Sequence, residues 1–216
     1  MKFLYILIIL IITNPINGYD RITGLEFASR SEVIATNGMA ATSHPLATQT
    51  AISVLKAGGN AIDAAIAANA VLGLVEPTGC GIGGDLFAIV WSAEDKKLYG
   101  LNSSGPAPKN ISIDKLRQEG IDKIPPYGAI PVTVPGAVAG WNTLHSKFGS
   151  LDFELLFDDA ISYAENGFPV SELIAYYLNR SSEVFKDYPN FKTIWMPNGK
   201  TPSKGEVFKN KLLAKN

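Results

Sequence analysis

Two consecutive segments in the first third of the chain have the apolar spacing that is typical of α-helices. From Ser43 onward, apolar residues recur on one helical face as far as Gly58, with Ser43 as a candidate N-cap and Pro45 in the first turn. The next segment starts at Asn60, another candidate N-cap, and continues to Leu74 with almost no polar face. Because a helix that is apolar all round is buried all round, we predict an amphipathic helix followed by a central, buried one.

The pattern changes after the second helix. Glycines dominate the segment from Thr78 to Asp85, which predicts a loop. Residues 86–91 and 97–102 are short, mostly apolar runs with a polar turn between them. They predict an antiparallel hairpin whose first strand is mostly buried.

The rest of the chain is mainly helical. Four further helices are predicted, at residues 112–119, 137–148, 153–166 and 171–186. Gly167 ends the third of them. A proline-rich extended stretch covers 124–135, residues 188–204 are predicted as loop, and residues 205–216 begin an amphipathic segment. No repeat or linker separates these elements, so they form one domain or part of one.

The first eighteen residues have the pattern of a secretory signal peptide. Lys2 supplies the charged start, residues 3–12 are an unbroken apolar run, and the small residue Gly18 stands where a cleavage site is expected. A membrane-spanning helix needs roughly 20 apolar residues, about twice this run. We therefore predict a secreted, extracellular protein with a signal peptide at residues 1–18. A permanent membrane anchor is the alternative.

Three Asn-x-Ser triplets agree with secretion, because this acceptor pattern for N-linked sugar is used only in the secretory pathway. They begin at Asn102, Asn110 and Asn179. The protein is accordingly predicted to be a glycoprotein, with Asn110 and Asn179 as the modified residues.

Composition excludes several functional classes. Of the residues, 46% are hydrophobic and 18% are charged, with 19 Lys and Arg against 20 Asp and Glu. A chain without a basic excess is not suited to nucleic acid. The single cysteine, Cys80, excludes an internal disulfide framework, and the separated His44 and His145 lack metal-ligand spacing. No metal ion or other cofactor is predicted.

The glycine-rich loop does not have the context of a nucleotide-binding motif. A dinucleotide fingerprint needs a strand before the loop and a helix after it, and here the order is reversed. Two alternatives stay open for residues 79–84: glycines that allow positive φ and close backbone contact, or the wall of a substrate pocket.

Three motifs carry a family resemblance. They are Gly38-Met-Ala-Ala-Thr-Ser-His-Pro-Leu-Ala47, Leu55-Lys-Ala-Gly-Gly-Asn-Ala-Ile-Asp-Ala-Ala65 and Val75-Glu-Pro-Thr-Gly-Cys-Gly-Ile-Gly-Gly-Asp85. Together they resemble the γ-glutamyltransferase (γ-glutamyltranspeptidase) family. The likeness continues through Val134-Pro-Gly-Ala-Val-Ala-Gly140 to the closing segment at 205–214, and so covers almost all of residues 19–216.

The resemblance implies an N-terminal-nucleophile hydrolase of the α+β class, a four-layer αββα sandwich. In such enzymes the precursor cuts itself to expose a threonine, whose hydroxyl attacks a γ-glutamyl amide such as that of glutathione. Water or an amino acid then accepts the acyl group. Residues 19–216 correspond to the front of the large subunit. The nucleophile belongs to a small subunit beyond them, so no catalytic residue is expected in this chain, which alone would be inactive.

In the family, an arginine after the hairpin grips the substrate α-carboxylate. Ser104 stands at that position here, and Pro106 stands where a related group of acylases and amidohydrolases has its arginine. The resemblance implies that Asn102, Ser103 and Ser104 line the substrate pocket, while an ordinary turn after a strand is the alternative. His44 is expected to cap or pack rather than to catalyse.

A non-catalytic secreted binding protein derived from such an enzyme is the rival hypothesis. The enzyme requires downstream coding for a threonine-led small subunit, whereas the binding protein requires a stop soon after Asn216. The buried helix and the first strand have too few covering partners among these residues. We therefore expect the chain to be part of a larger enzyme.

Overall fold

The computed structural model describes residues 33–216. The chain divides into two units, residues 1–36 and residues 37–216, and the helices and strands given below belong to the second. The predicted signal peptide at residues 1–18 lies outside the described residues, as do residues 19–32 of the predicted domain. Between residues 33 and 216, no helix combines the length and the apolar character needed to cross a membrane.

Helix α1 spans Pro45–Lys56, but its N-cap is His44 and not the predicted Ser43. The Nδ1 atom of His44 accepts a hydrogen bond from the Leu46 N–H at 3.3 Å. The Ser43 hydroxyl instead donates to the Glu76 carboxylate at 2.6 Å. Proline suits the first helical position, because its φ is fixed near the helical value and its missing N–H needs no partner there, so Pro45 sets the helix start and His44 becomes the cap.

Helix α2 spans Ala61–Val75 and begins at the predicted cap, Asn60. The Asn60 side chain accepts from the N–H groups of Ile62 and Asp63, while the Asp63 carboxylate accepts from the Asn60 N–H at 2.9 Å. This reciprocal pair of bonds is a capping box, which satisfies donors that a helix start otherwise leaves unpaired.

Strands β1 (Leu86–Ser92) and β2 (Lys97–Ser103) form the predicted antiparallel hairpin, with Leu86 opposite Ser103. The prediction of a mostly buried first strand is wrong for the described residues. Burial alternates along β1, and Phe87, Ile89 and Trp91 are 62%, 80% and 62% exposed on its outer face. The reason is that the described helices cover only the other face of the hairpin.

Five α-helices and two short 3-10 helices, Phe153–Phe157 and Leu213–Lys215, follow the hairpin within residues 104–216. The α-helices are α3 at Ile113–Gln118, α4 at Ala137–Phe148, α5 at Asp158–Asn166, α6 at Glu172–Phe185 and α7 at Phe191–Trp195. The predicted helix over 153–166 starts as a 3-10 turn, Phe153–Phe157, where the Leu155 N–H bonds to the Asp152 carbonyl three residues back. Gly167 ends α5 with φ +97°, as predicted.

The end of the chain is more ordered than predicted. Helix α7 lies inside the segment expected to be loop, and strands β3 (Phe168–Pro169) and β4 (Val207–Phe208) pair antiparallel. Trp195 stacks on Phe208 with ring centroids 5.3 Å apart. These ring and strand contacts join positions distant in sequence, so local patterning does not reveal them.

The core has two clusters, and α2 contributes to both. One contains Ala64, Ala68 and Val71 of α2 together with buried residues of α1, α5, α6 and β3–β4. The other joins Ile66 and Ala67 to buried residues of α4 and the 3-10 turn beneath the hairpin. The predicted central position of α2 is confirmed. Helices combined with small antiparallel sheets confirm the α+β class, while the four-layer sandwich stays a prediction.

Candidate functional site

The three predicted pocket residues lie at the end of β2, but they face different sides of the hairpin. Asn102 is opposite Phe87 in the register, and Ser103 is opposite Leu86. Neighbouring residues of a strand point to opposite faces, so Asn102 lies on the exposed outer face and Ser103 on the inner face. Ser104 follows the last residue of β2 and is half-buried.

The Ser103 hydroxyl is engaged inside the fold. It donates to the Gly136 carbonyl at 2.7 Å, at the start of α4. The backbones meet so closely here that a Cβ on Gly136 would collide with the Ser103 carbonyl oxygen. One turn later, a Cβ on Gly140 would lie 3.0 Å from the Ser103 Cβ. Glycines at 136 and 140 therefore allow α4 to pack directly on the end of β2.

The glycine-rich loop also contacts the start of α4, next to the end of β2. The Gly84 carbonyl accepts from the N–H groups of Gly136 at 2.9 Å and Ala137 at 3.1 Å. We call the meeting point of Gly84, Ser103 and Gly136 the Gly84 junction. Because these two N–H groups at the start of α4 are already paired, they are not available to bind an anion.

Ser104 is held by its backbone. The Asn102 side chain accepts from the Ser104 N–H at 3.0 Å, and the Thr133 hydroxyl donates to the Ser104 carbonyl at 3.2 Å. Gly105 has φ +77°, and a Cβ there would collide with the Val134 carbonyl oxygen. Within residues 33–216, the Ser104 hydroxyl has no hydrogen-bond partner. Its position is therefore fixed while its hydroxyl remains available to a ligand.

The glycine-rich loop borders an open cavity of about 390 Å³, lined by eight of the residues between Pro77 and Asp85. None of the glycines at 79–84 has a positive φ. Close backbone contact does occur, because a Cβ on Gly73 of α2 would lie 3.3 Å from the Gly81 Cα. For the first sequence alternative, the positive φ is wrong for this loop and the close backbone contact is confirmed, while a substrate pocket at this cavity stays a prediction.

Cys80 lies in this cavity wall but is not an activated nucleophile. Its side chain is half-buried and carries a free thiol, since Cys80 is the single cysteine of the sequence. Burial raises the pKa of the Cys80 thiol, and the negative charge of Glu76 raises it further. The thiol therefore stays protonated at neutral pH, and a protonated thiol is a poor nucleophile.

The two histidines have structural positions. His44 is 5% exposed and caps α1 as described, and burial lowers its pKa although the Glu76 charge opposes that shift. Its Nε2 has no hydrogen-bond partner within residues 33–216. His145 contacts the Leu151 carbonyl through Nε2 at 2.8 Å. The prediction that His44 caps or packs is confirmed.

Residues 33–216 contain no cluster of three or more potential metal-ligating His, Cys, Asp or Glu side chains.

Sequence reasoning did not identify Thr133, Gly136 or Gly84 as neighbours of the predicted pocket residues. Gly84 and Gly136 lie in motifs that carry the family resemblance, and this membership was the sequence signal that could have indicated their place near the pocket. Thr133 precedes its motif by one residue and has no signal of its own.

Comparison with protein families gives a match to the gamma-glutamyltranspeptidase model over residues 47–216. Among curated proteins, the glutathione hydrolase-like YwrD proenzyme of Bacillus subtilis is 37% identical over 183 residues. That alignment covers 84% of this chain and 34% of the relative, so the chain spans about a third of the length of this protein.

Two solved structures are similar in fold and in sequence. A cephalosporin acylase from Bacillus halodurans aligns with a TM-score of 0.82 and 42% identity, covering 89% of this chain and 37% of that one. The γ-glutamyltranspeptidase of Helicobacter pylori aligns with a TM-score of 0.80 and 33% identity, covering 86% and 54% respectively.

Proposed function

Because the chain belongs to the γ-glutamyltranspeptidase family, we propose that it is the front part of a secreted amide hydrolase and acyltransferase. The observation that supports this most directly is the family match over residues 47–216. The chain spans about a third of its curated relative, whose name describes it as a proenzyme. We propose that the nucleophilic threonine belongs to a small subunit encoded beyond Asn216, and the partial coverage of this relative supports that proposal.

In the proposed reaction, the threonine hydroxyl attacks the amide carbonyl carbon while the free α-amine of the same threonine takes the hydroxyl proton. The C–N bond breaks, the amine leaves with a proton, and an ester joins the acyl group to the threonine. Water or an amino acid then attacks this ester and restores the hydroxyl. This chain supplies one wall of the pocket, with the Ser104 backbone held in place by Asn102 and Thr133 and its hydroxyl left available to the substrate.

The acyl group is the part of the substrate that this chain affects most. Ser104 and Pro106 stand at the two positions where the resemblance leads us to expect an arginine. A neutral hydroxyl binds a carboxylate more weakly than a guanidinium fork does. We propose that γ-glutamyl compounds such as glutathione are poor substrates and that amides without an α-carboxylate are accepted equally well or better.

The test begins with the transcript beyond codon 216. If it encodes a threonine-led small subunit, the complete protein is assayed on the p-nitroanilides of γ-glutamate and 4-aminobutyrate, which differ only in the α-carboxylate. We expect comparable kcat/KM values for the two, and loss of both activities when the leading threonine is changed to alanine. A strong preference for γ-glutamate would contradict the proposed substrate class. Absence of any amidase activity would contradict the proposal that the complete protein is an enzyme.

A non-catalytic secreted binding protein is the second candidate, and the missing arginine is the observation that favours it. It requires a stop codon shortly after codon 216 and no threonine-led segment. The same transcript therefore distinguishes the two candidates.

Secretion is a separate part of the proposal, supported by the charged start and apolar run of residues 1–12. Expression with a C-terminal tag in insect cells tests it. We expect tagged protein in the medium that begins near Tyr19, whereas protein retained in membranes with residues 1–18 present would indicate an anchor.

A further inference from the structure

Asp85 lies at the open end of the hairpin, next to the predicted pocket residues. Leu86 is paired with Ser103 at the end of the ladder, so the same register continued by one residue brings Asp85 opposite Ser104. Because side chains alternate between the faces of a strand, both residues belong to the outer face of the hairpin. Directly opposite residues of an antiparallel pair have Cβ atoms about 5 Å apart. A substrate group bound by the Ser104 hydroxyl is therefore within reach of the Asp85 carboxylate.

The Asp85 carboxylate is not neutralised within residues 33–216. The ion pairs in this range use the carboxylates of Asp63, Asp187 and Glu172. Asp85 is exposed, and its carboxylate accepts no hydrogen bond from another residue of the same range. The negative charge of Asp85 is therefore available to a ligand.

The cavity of about 390 Å³ along the glycine-rich loop has Asp85 in its wall. Among the lining residues, which all lie between Pro77 and Asp85, Asp85 is the only one with a charged side chain. Besides burial, the charge of Glu76 raises the pKa of the Cys80 thiol in the same wall, so a second carboxylate acts on this cavity. Two negative charges and no lining lysine or arginine favour a cation over an anion here.

The absence of an arginine makes the Asp85 charge important for substrate choice. The resemblance implies an arginine at position 104 or 106 as the carboxylate-binding group, and Ser104 and Pro106 supply no positive charge there. A carboxylate repels a second carboxylate at 5 Å and attracts an ammonium group. The exposed apolar face of the hairpin is of a kind that complete proteins usually cover, and removing water strengthens both effects. The place of a substrate carboxylate therefore suits a substrate cation.

We propose that Asp85 and Ser104 together recognise a positively charged amino group on the acyl part of the substrate. The inference rests on the proposed amide hydrolase and names the substrate class of its site. The substrates are acyl amides with an ammonium group where γ-glutamyl compounds have the α-carboxylate. Asp85 supplies the opposite charge, and the Ser104 hydroxyl oxygen accepts one of the three N–H groups of the ammonium.

Three p-nitroanilides that differ only at the end of the acyl chain test the proposal on the complete encoded protein. The 5-aminopentanoyl anilide has an ammonium group at this end, the glutaryl anilide has a carboxylate, and the hexanoyl anilide has a methyl group. We expect kcat/KM to be about tenfold higher for the ammonium than for the methyl compound, the effect of one charge-assisted hydrogen bond. The carboxylate compound should have the lowest value.

Asp85→Asn should abolish the preference for the ammonium compound, because the amide keeps the shape and removes the charge. The ratio of kcat/KM values is taken within one variant, so a general loss of active protein cancels. Glu94→Gln is the matched control, since Glu94 is an exposed carboxylate in the turn at the other end of the hairpin. It lies roughly 25 Å from Asp85 at the usual rise of a strand, and its loss should leave the ratio unchanged.

Two results overturn the inference while the enzyme stands. One is a kcat/KM for the glutaryl anilide that equals or exceeds the value for the 5-aminopentanoyl anilide in the wild-type protein. The other is an ammonium preference that Asp85→Asn leaves intact.

Failure of the proposed enzyme gives a different result. If none of the three anilides is cleaved, the proposed function is wrong and binding decides the inference. The same protein is then titrated with 5-aminopentanamide and with hexanamide, and binding is followed by NMR. Tighter binding of the ammonium compound that is lost in Asp85→Asn supports the recognition site without an enzyme, and equal binding of the two amides overturns it.

Discussion

The Asp63 carboxylate accepts a 2.6 Å hydrogen bond from the Ser150 hydroxyl, although the two residues are 87 positions apart in the sequence. The same carboxylate accepts from the Ser150 and Leu151 N–H groups and from Asn60 at the start of α2. Asp63 is fully buried. It therefore connects the start of the central helix to the loop that follows α4.

Replacing this carboxylate should destabilise the fold. Asp63→Asn keeps the shape but puts an amide donor where several donors already converge, which should lower the free energy of unfolding by about 2–4 kcal/mol. Urea unfolding of the complete protein, followed by circular dichroism, measures this. The exposed Asp122→Asn is the matched control and should change little. Equal stability of the two variants would show that the Asp63 bonds contribute little.

The contribution of Asp63 should also depend on pH. Burial alone would raise the pKa of Asp63, but the hydrogen bonds from Ser150, Asn60 and Leu151 outweigh it and hold the pKa below its usual range. A carboxyl with a depressed pKa stabilises the folded state above its unfolded pKa of about 3.9, and this stabilisation is lost as pH falls through the folded pKa. The stability difference between wild type and Asp63→Asn should therefore shrink below about pH 4. A difference that stays constant from pH 7 to pH 3 would contradict this.

The Gly84 junction should not tolerate a side chain on Gly136. Gly136→Ala places a Cβ against the Ser103 carbonyl oxygen, so the end of β2 and the start of α4 must separate. We expect a loss of about 3 kcal/mol in unfolding free energy, the upper range for overpacking. Gly79→Ala is the control, since a Cβ there meets nothing within 4 Å. If the two alanine variants melt at the same temperature, the close packing at the junction is not required.

Much of the fold could be predicted from local signals. Asn60 and Gly167 define helix ends because the groups that they satisfy lie within four residues. The Ser43 prediction was wrong by one residue, because Pro45 takes the first helical position and the residue directly before it becomes the cap. The bond from the Ser43 hydroxyl to Glu76, 33 residues away, is not encoded in a window of neighbouring residues.

The candidate site, like the fold, could be predicted only where local signals determine it. Strand alternation is enough to place Asn102 and Ser103 on opposite faces once the strand is known. The bond from Ser103 to Gly136 spans 33 residues and depends on how α4 packs, so the pattern of β2 could not indicate it. The position of Ser104 beside Thr133 likewise follows from tertiary packing.

An arginine at position 104 should restore recognition of an α-carboxylate. In the complete enzyme, Ser104→Arg should raise kcat/KM for the γ-glutamyl anilide relative to the 4-aminobutyryl anilide roughly tenfold, about the effect of one charge-assisted hydrogen bond. Ser104→Gln is the control, because it adds length and hydrogen bonding without charge. Should the arginine and glutamine variants show the same ratio, position 104 does not face the substrate carboxylate.

The outer face of the hairpin should make the isolated residues 19–216 prone to association. Phe87, Ile89 and Trp91 are 62%, 80% and 62% exposed on this one face, and such contiguous apolar surface is usually covered in a stable protein. We expect the isolated segment to bind a hydrophobic dye and to form oligomers by size-exclusion chromatography. Changing the three side chains together to threonine should reduce both effects, because threonine is smaller and more polar, while its β-branched side chain still suits a strand. Ile113→Thr, which removes a single exposed apolar side chain on α3, should change neither. A monomeric segment with a cooperative melt and no dye binding would mean that the hairpin face needs no covering partner, and would remove this physical argument for a larger enzyme.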